Sequence, residues 1–545
     1  MEGTPGQGTT GPGPVPGQQQ GKWWSLVAVS GGMFMLLLDI TIVAVALPAI
    51  QRQLHASLAD LQWVVDAYAM TLAALLLTTG SLADLYGRRR LFASGLAVFT
   101  LGSLLCGTAT DPLFLIVARC GQGVGGAAML ATSLALLAQA YQGKDRAVAF
   151  AVWGAVMAVA IAVGPLVGGL LTQGASWRWI FLVNVPLGVL TLGLTLRRVP
   201  ESKDPAPRRP DWLGFLSFTA ALVALVLGLI RASQTSFTNP VVLACLVAAG
   251  GLALVFVAIE QRVPHPMFDL SLFRVPTFDG ALLASFAISA SFYSLLLYLV
   301  LYLQDALGES PLQAGLRLLV ISGSTFLTSA AAGRLSRQVP VRWLVALGLA
   351  LVAVGLGLLS GLAPADAWTA ALPGFLLVGL GNGIVNPPLA QAAMGVVPPS
   401  RAGMASGINN TFRQTGIAAG VAALGTIFAD RERAVLARAL VQAHLPSTVV
   451  GRVVALVKAG APPRQVLAGL SAHAAGLTTI GLRRGLVVGL DDILRVSLVV
   501  AALGALGTIG LIRNRDFVAG SHLEVSAEGA RSTAEHAGQV APAEA

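Results

Sequence analysis

Three charged side chains stand inside otherwise apolar runs, and they set what chemistry this sequence can do. Asp39 lies mid-run in LLLDITIVAVALP, Asp66 in LQWVVDAYAM and Arg119 in RCGQGVGGAAM. A carboxylate at the centre of an apolar helix costs roughly 2.5–3.5 kcal/mol on insertion scales, so it must face a cavity or a partner. Asp39 in such a place can take a proton from one side and release it to the other. The alternative is a structural acid paired with a fixed cation. Asp66 stands nearer the edge of its run and is either a pathway residue or a wetted residue of a helix start. Arg119 keeps its proton, so it can tune a neighbouring acid but cannot carry protons itself.

Other candidates are polar or aromatic points that could line a substrate cavity: Gln122, Trp153, Phe292, Tyr293, Asn382, Asn386, Asn410 and Arg413. Aromatic faces suit flat or cationic ligands; the amides equally suit helix–helix hydrogen bonds. The run AVGPLVGG holds Gly164, Pro165, Gly168 and Gly169. Its proline removes a backbone hydrogen bond, and its glycines let a partner helix approach and slide. Between two apolar runs lies GSLADLYGRRR, with Gly80, Asp84, Gly87 and Arg88 to Arg90. Its glycines permit a tight reversal, and its arginines suit anionic headgroups. Asp84 at such an edge needs a helix N-terminus or a cation to face.

The elements that must position these residues follow from composition. Of 545 residues, 55% are hydrophobic and only 11% charged, too few charges to cover a soluble protein of this size. Apolar runs of about 20 residues recur, the length an α-helix needs to cross a bilayer. The short alternating segments of a β-barrel are absent. Hydropathy predicts fourteen transmembrane helices, the first at 25–48 and the last at 491–512, and an even number places both termini on one side. Arg88–Arg90, Arg197, Arg198, Arg334 and Arg337 fall in one set of short loops, against Arg52, Arg178 and Arg231 in the other. Both termini are therefore expected to be cytoplasmic. That asymmetry also accounts for the net charge of +10 without a nucleic-acid partner.

Weak internal repetition divides the chain. Gly80-Ser-Leu-Ala-Asp84 is echoed by Gly333-Arg-Leu-Ser-Arg337, Gly121-Gln-Gly123 by Gly381-Asn-Gly383, and Arg146-Ala147 by Arg401-Ala402. The expected organisation is a disordered cytoplasmic tail at 1–24, a six-helix bundle at 25–198, an inserted helix pair at 199–275 and a second bundle at 276–512. A cytoplasmic tail follows at 513–545, and a long external loop, 429–490, reads as one or two amphipathic helices. Paired halves with a site between them are an alternating-access architecture. The first apolar run has no cleavage pattern beside it and reads as a retained helix. Cys106, Cys120 and Cys245 all lie in apolar runs and suit packing.

The loop G-x-L-A-D-x-x-G-R-R-R resembles the signature between helices 2 and 3 of the major facilitator superfamily of transporters. R-x-x-Q-G-x-G-G, from Arg119, resembles that superfamily's fourth-helix motif, whose arginine is associated with proton coupling. G-P-x-x-G-G, from Gly164, resembles its antiporter motif, with Ala160 standing where the first small residue is usually Gly. WRWIFLVNVPLG (177–188), DWLG (211–214), YLQDALGESPLQAGL (302–316) and ASGINNTFRQTG (405–416) are similar to the fourteen-helix drug:proton antiporters. The likeness spans about 25–428, and Ala44 departs from the Asn that relatives commonly carry there.

The resemblance implies an all-α major facilitator fold of two six-helix bundles plus two inserted helices. It also implies proton-coupled efflux of lipophilic, often cationic compounds from the cytoplasmic membrane, with Asp39, Arg119 and Asp66 in proton coupling. Gly80, Asp84, Gly87, Arg88 and Arg89 would form a cytoplasmic latch. The expected partners are a small lipophilic substrate, protons and the bilayer, with a monomer as the working unit. Export of an endogenous lipid, siderophore, amino acid or antibiotic is the alternative, since the motifs speak to mechanism and not to cargo. No phosphate-binding loop, metal cluster or nucleophile elbow occurs, so no cofactor and no enzymatic activity are expected. A membrane enzyme or sensor would need a catalytic set, which the 429–490 loop lacks.

Overall fold

The computed structural model describes residues 22–517 except 142, 203–210, 236–237, 264–267, 337, 364–365, 398–401 and 459–462. Among the described residues every regular element is helical. The long helices are α1 (Lys22–Leu54), α2 (Leu58–Tyr86), α3 (Arg88–Gly107), α4 (Pro112–Ala140) and α5 (Gly143–Gly174). They continue as α6 (Trp179–Arg198), α7 (Trp212–Gln234), α8 (Pro240–Glu260), α9 (Pro276–Ala306) and α10 (Pro311–Leu335). The last four are α11 (Val341–Leu359), α12 (Trp368–Met394), α13 (Ala402–Gln442) and α14 (Ala472–Leu511). Eleven helical stretches among the described residues are long and apolar enough to cross a membrane. The three long helices α2, α13 and α14 pack among them. Large apolar side chains such as Leu101, Val117, Leu190, Val247, Leu327 and Leu506 point outward, exposed, as a lipid-facing surface requires. The chain is a multi-pass membrane protein.

Helices α1–α6 pack on one another, as do α9–α14, while α7 pairs with α8 and leans on α2 and α13. Local sequence fixes the helix starts. Ser57 and Asp60 form a reciprocal capping box at the start of α2, and Asp111 caps α4 just ahead of Pro112; each satisfies amides that a first turn leaves bare. Gly87 joins α2 to α3 at φ 109°, and a Cβ there would stand 2.6 Å from a Glu201 carboxylate oxygen. Only glycine fits that reversal.

The hydrogen bonds and ion pair joining α1–α6 to α9–α14 gather at mid-depth and toward the face away from the chain ends. Gln304 donates to the Val45 carbonyl (2.9 Å), Gln62 to the Tyr298 hydroxyl (3.1 Å), and the Leu312 amide to Gln173 (3.2 Å). Arg52 pairs with Asp305 at 3.6 Å. Gln304 and Asp305 sit on a π-helical turn, Tyr302–Ala306. Such a turn re-aims side chains within a helix.

The stretch 429–490 is not a separate loop. α13 has 41 residues and α14 has 40, about 60 Å each at 1.5 Å per residue, twice the hydrocarbon thickness. Both run unbroken past the apolar zone and form an antiparallel pair, with short helices Ser447–Lys458 and Pro463–Leu467 against it. Leu436, Leu440, Val453 and Val466 make a small core there. Hydropathy marks only the apolar half of each helix. Nothing in 429–442 breaks a helix: that stretch contains neither Gly nor Pro.

Candidate functional site

Asp39 is fully buried on α1, and Arg119 on α4 is 2% exposed. The guanidinium donates directly to the carboxylate. Gln122, one turn along α4, donates to the other carboxylate oxygen at 3.2 Å, and Asn184 of α6 donates to it at 3.4 Å. Arg119 also donates to Gln122 (2.8 Å) and to the Val64 carbonyl of α2 (3.1 Å). Ser103 and Cys106 of α3 hold the Gln122 amide, and the guanidinium lies 4.2 Å from the Tyr68 ring centroid. A buried ion pair is tolerable when further hydrogen bonds satisfy its remaining lone pairs and protons, and here α2, α3, α4 and α6 all contribute. Removing the charge on Asp39 by protonation would leave Arg119 without its counter-ion. Groups from five helices thus converge on this one pair.

Asp66 is also fully buried, on α2, but neither carboxylate oxygen has a hydrogen-bond partner. One turn before it, Gln62 reaches Tyr298 and the Val421 carbonyl. Asp66 thus stands where α2 meets α9 and α13.

The glycine motif of α5 lies between that site and the other half. A Cβ at Gly164 would collide with Thr41, two residues beyond Asp39, and one at Gly168 with the Ile42 carbonyl. On the far side, a Cβ at Gly169 would come within 2.5 Å of the Pro311 carbonyl oxygen, and one at Gly315 of α10 within 2.3 Å of the Pro165 carbonyl oxygen. Backbone contact runs from the Asp39 turn of α1 through α5 to α10.

Two cavities adjoin these elements. One, of about 70 Å³, is lined by Ile40, Val43, Ala44, Tyr68, Arg119 and Tyr293, among others, so it reaches from the ion pair to α9. That volume is smaller than the roughly 300–1,000 Å³ of a drug-sized site. The second, of about 110 Å³, lies among α9, α12 and α13 and is lined by Asn386, Asn409, Asn410 and Arg413. The other cavity candidates are placed elsewhere. Trp153 packs on the core of α1–α6, and Phe292 is buried in the central core. Asn382 donates to Thr325 and accepts from Asn386. Asn184 and Tyr68 belong to the site without having been singled out. Asn184 had a signal, as a lone amide in the apolar run WIFLVNVPLG.

In the α2–α3 loop, the amide of Arg89 donates to Glu201 at 3.0 Å. The guanidinium groups of Arg89 and Arg90 stand 3.7 and 3.6 Å from the same carboxylate. The loop is thus held by a residue just beyond α6. The Asp84 side chain and Arg337 lie outside the described residues.

Comparisons with known proteins identify the family. The Major Facilitator Superfamily model matches residues 29–421. Multidrug resistance protein Stp of Mycobacterium tuberculosis is 39% identical over 407 residues, 74% of this chain and 75% of that protein. Drug efflux pump JefA of the same organism is 37% identical over 414 residues, 74% and 80% of the two chains. Among solved structures, an inward-facing, unoccupied bacterial homolog of the human lysosomal transporter Spinster superposes with TM-score 0.60 at 16% identity. It covers 93% of this chain and 100% of its own. By its sequence match and its helical architecture, the chain belongs to the Major Facilitator Superfamily.

Proposed function

We propose that this protein exports lipophilic, drug-like compounds across the cytoplasmic membrane in exchange for protons. The observation that carries this reading is the buried Asp39–Arg119 pair, together with its backbone link through Gly164 and Gly169 to the second half. Residues 25–198 and 276–512 rock as two six-helix bodies about the central cavity, with the pair in 199–275 beside them, fourteen spans in all. With both termini cytoplasmic, the contacts at the opposite face close the exterior, and this state opens inward. Protonation of Asp39 frees Arg119 and biases the bodies toward one facing state; deprotonation restores the pair and favours cargo capture from the cytoplasm. Asp66, unpartnered where the halves meet, is a second carboxyl through which protons pass. In this state Glu201 holds the loop arginines, and when the cytoplasmic side closes the loop becomes the latch. The protein acts without a cofactor, as a monomer, and performs no catalysis.

The test is collapse of an imposed pH gradient in proteoliposomes on adding a panel of lipophilic compounds. Substrate-dependent proton movement is expected in the wild type. It should be absent in Asp39→Asn, with the protein still folded and monodisperse. Gradient-driven transport that survives Asp39→Asn would sink the assignment.

A further inference from the structure

Arg413 is a charge the coupling scheme leaves unused. It lies 11 residues into α13, about 16 Å along the helix and hence at membrane depth. Among the described residues its one hydrogen-bond acceptor is the Tyr293 hydroxyl, at 2.8 Å, and its guanidinium stacks 4.9 Å from that ring's centroid. No carboxylate among them pairs with it, whereas Arg119 at comparable depth is neutralised by Asp39. A guanidinium has five N–H donors in a planar fork, so most of this fork is uncommitted. The polar residues sharing its cavity are all neutral, Ser285, Asn386, Ser406, Asn409 and Asn410, and the rest of the wall is apolar. On the other side of Tyr293 the neighbouring cavity is walled by Ile40, Val43, Leu47, Leu296 and Leu297. A cationic, amide-rich pocket thus adjoins an apolar one, with Tyr293 between them.

We propose that Arg413 receives a carboxylate or comparably acidic oxygen of an amphiphilic cargo, whose lipophilic body occupies the apolar cavity beyond Tyr293. The planar fork matches a carboxylate bidentately, and its low-dielectric setting strengthens that contact. A simple lipophilic cation finds no carboxylate in either wall: Asp39 is committed to Arg119, and neither it nor Asp66 lines either cavity. The preferred cargo is therefore an organic acid or zwitterion, in contrast to the cations that family likeness suggests. This rests on the efflux reading for its physiological meaning, but not for its chemistry.

The experiment uses two rhodamine dyes that differ only at the carboxyl, rhodamine 110 with the free acid and rhodamine 123 with its methyl ester. Binding to the purified full chain is read by fluorescence anisotropy. The acid should bind about tenfold or more tighter than the ester, the scale of one charge-assisted contact. Arg413→Gln should bring the ratio close to one, while Arg413→Lys, which keeps the charge but not the fork, should retain part of it. Equal binding of acid and ester by the wild type, or a ratio unchanged in Arg413→Gln, would overturn the proposal. Gradient-driven movement of the dyes in proteoliposomes is scored separately. Acid-selective binding with no movement overturns the efflux reading and leaves the pocket standing; movement without acid preference does the reverse.

Discussion

Each half holds an arginine at membrane depth, Arg119 buried and Arg413 partly buried, and they are compensated in opposite ways. In α1–α6, Arg119 has a carboxylate, an amide, a carbonyl and an aromatic face around it. In α9–α14, Arg413 has a phenol and a cavity. A fully compensated charge responds to a proton, because protonating its partner breaks the balance. A charge left without a counter-ion responds to a ligand that supplies one. On the proposed reading, repetition of the same helical unit has separated a coupling element from a recognition element.

The sharpest way to break this comparison is to remove each cation in turn. Arg119→Gln strands a buried carboxylate and should cost on the order of 3–5 kcal/mol, read as a large fall in the melting temperature of the detergent-solubilised protein. Arg413→Gln strands no acid and should shift that temperature far less; equal shifts would mean that Arg413 is structural. Next in size is the contact that joins the halves. Gly315→Val would push a side chain into the Pro165 carbonyl and should prevent closure of the face away from the termini. Cysteines placed at positions 173 and 312, whose residues hydrogen-bond at 3.2 Å, would then lose their ready cross-linking; undiminished cross-linking would refute that role. The smallest effect lies in the extension beyond the membrane. Burial pushes the Glu432 carboxyl up to about 7, with Arg433 opposing and Asp305 adding to the shift. An acid raised above its ordinary value of 4.5 favours the folded state when protonated. Stability should therefore rise as pH falls from about 7 toward 4.5 and decline as pH climbs through 7. Glu432→Gln should flatten that dependence, and an unaltered slope would show that another group sets it.

Charge in an apolar run was the legible part of the site. Asp39, Asp66 and Arg119 announce themselves because the membrane penalises them, and Arg119 proves to be the fixed partner that one reading of Asp39 required. Neutral polar residues announce little: Asn184 and Ser103 cost less to bury, so their role emerges only when four helices converge. The aromatic candidates misled in part, since Trp153 and Phe292 serve packing and nothing in residue type distinguishes a core ring from a cavity wall. The α2–α3 loop was legible as a reversal, through Gly87, but its acidic holder Glu201 lies 112 residues farther along. The lengths of α13 and α14 were hidden because hydropathy follows lipid contact and not helix continuity.

That continuity has a mechanical consequence. One unbroken rod carries Arg413 inside the membrane and Leu436 and Leu440 outside it. Its outer segment, 429–442, is about 20 Å long at 1.5 Å per residue. A few degrees of tilt where cargo sits becomes an ångström-scale sweep at the tip, and a binder clamped onto the tip would be felt as torque on the pocket. On the proposed topology the protein thus carries a handle on its outer surface, through which transport could be braked without touching the cargo's path.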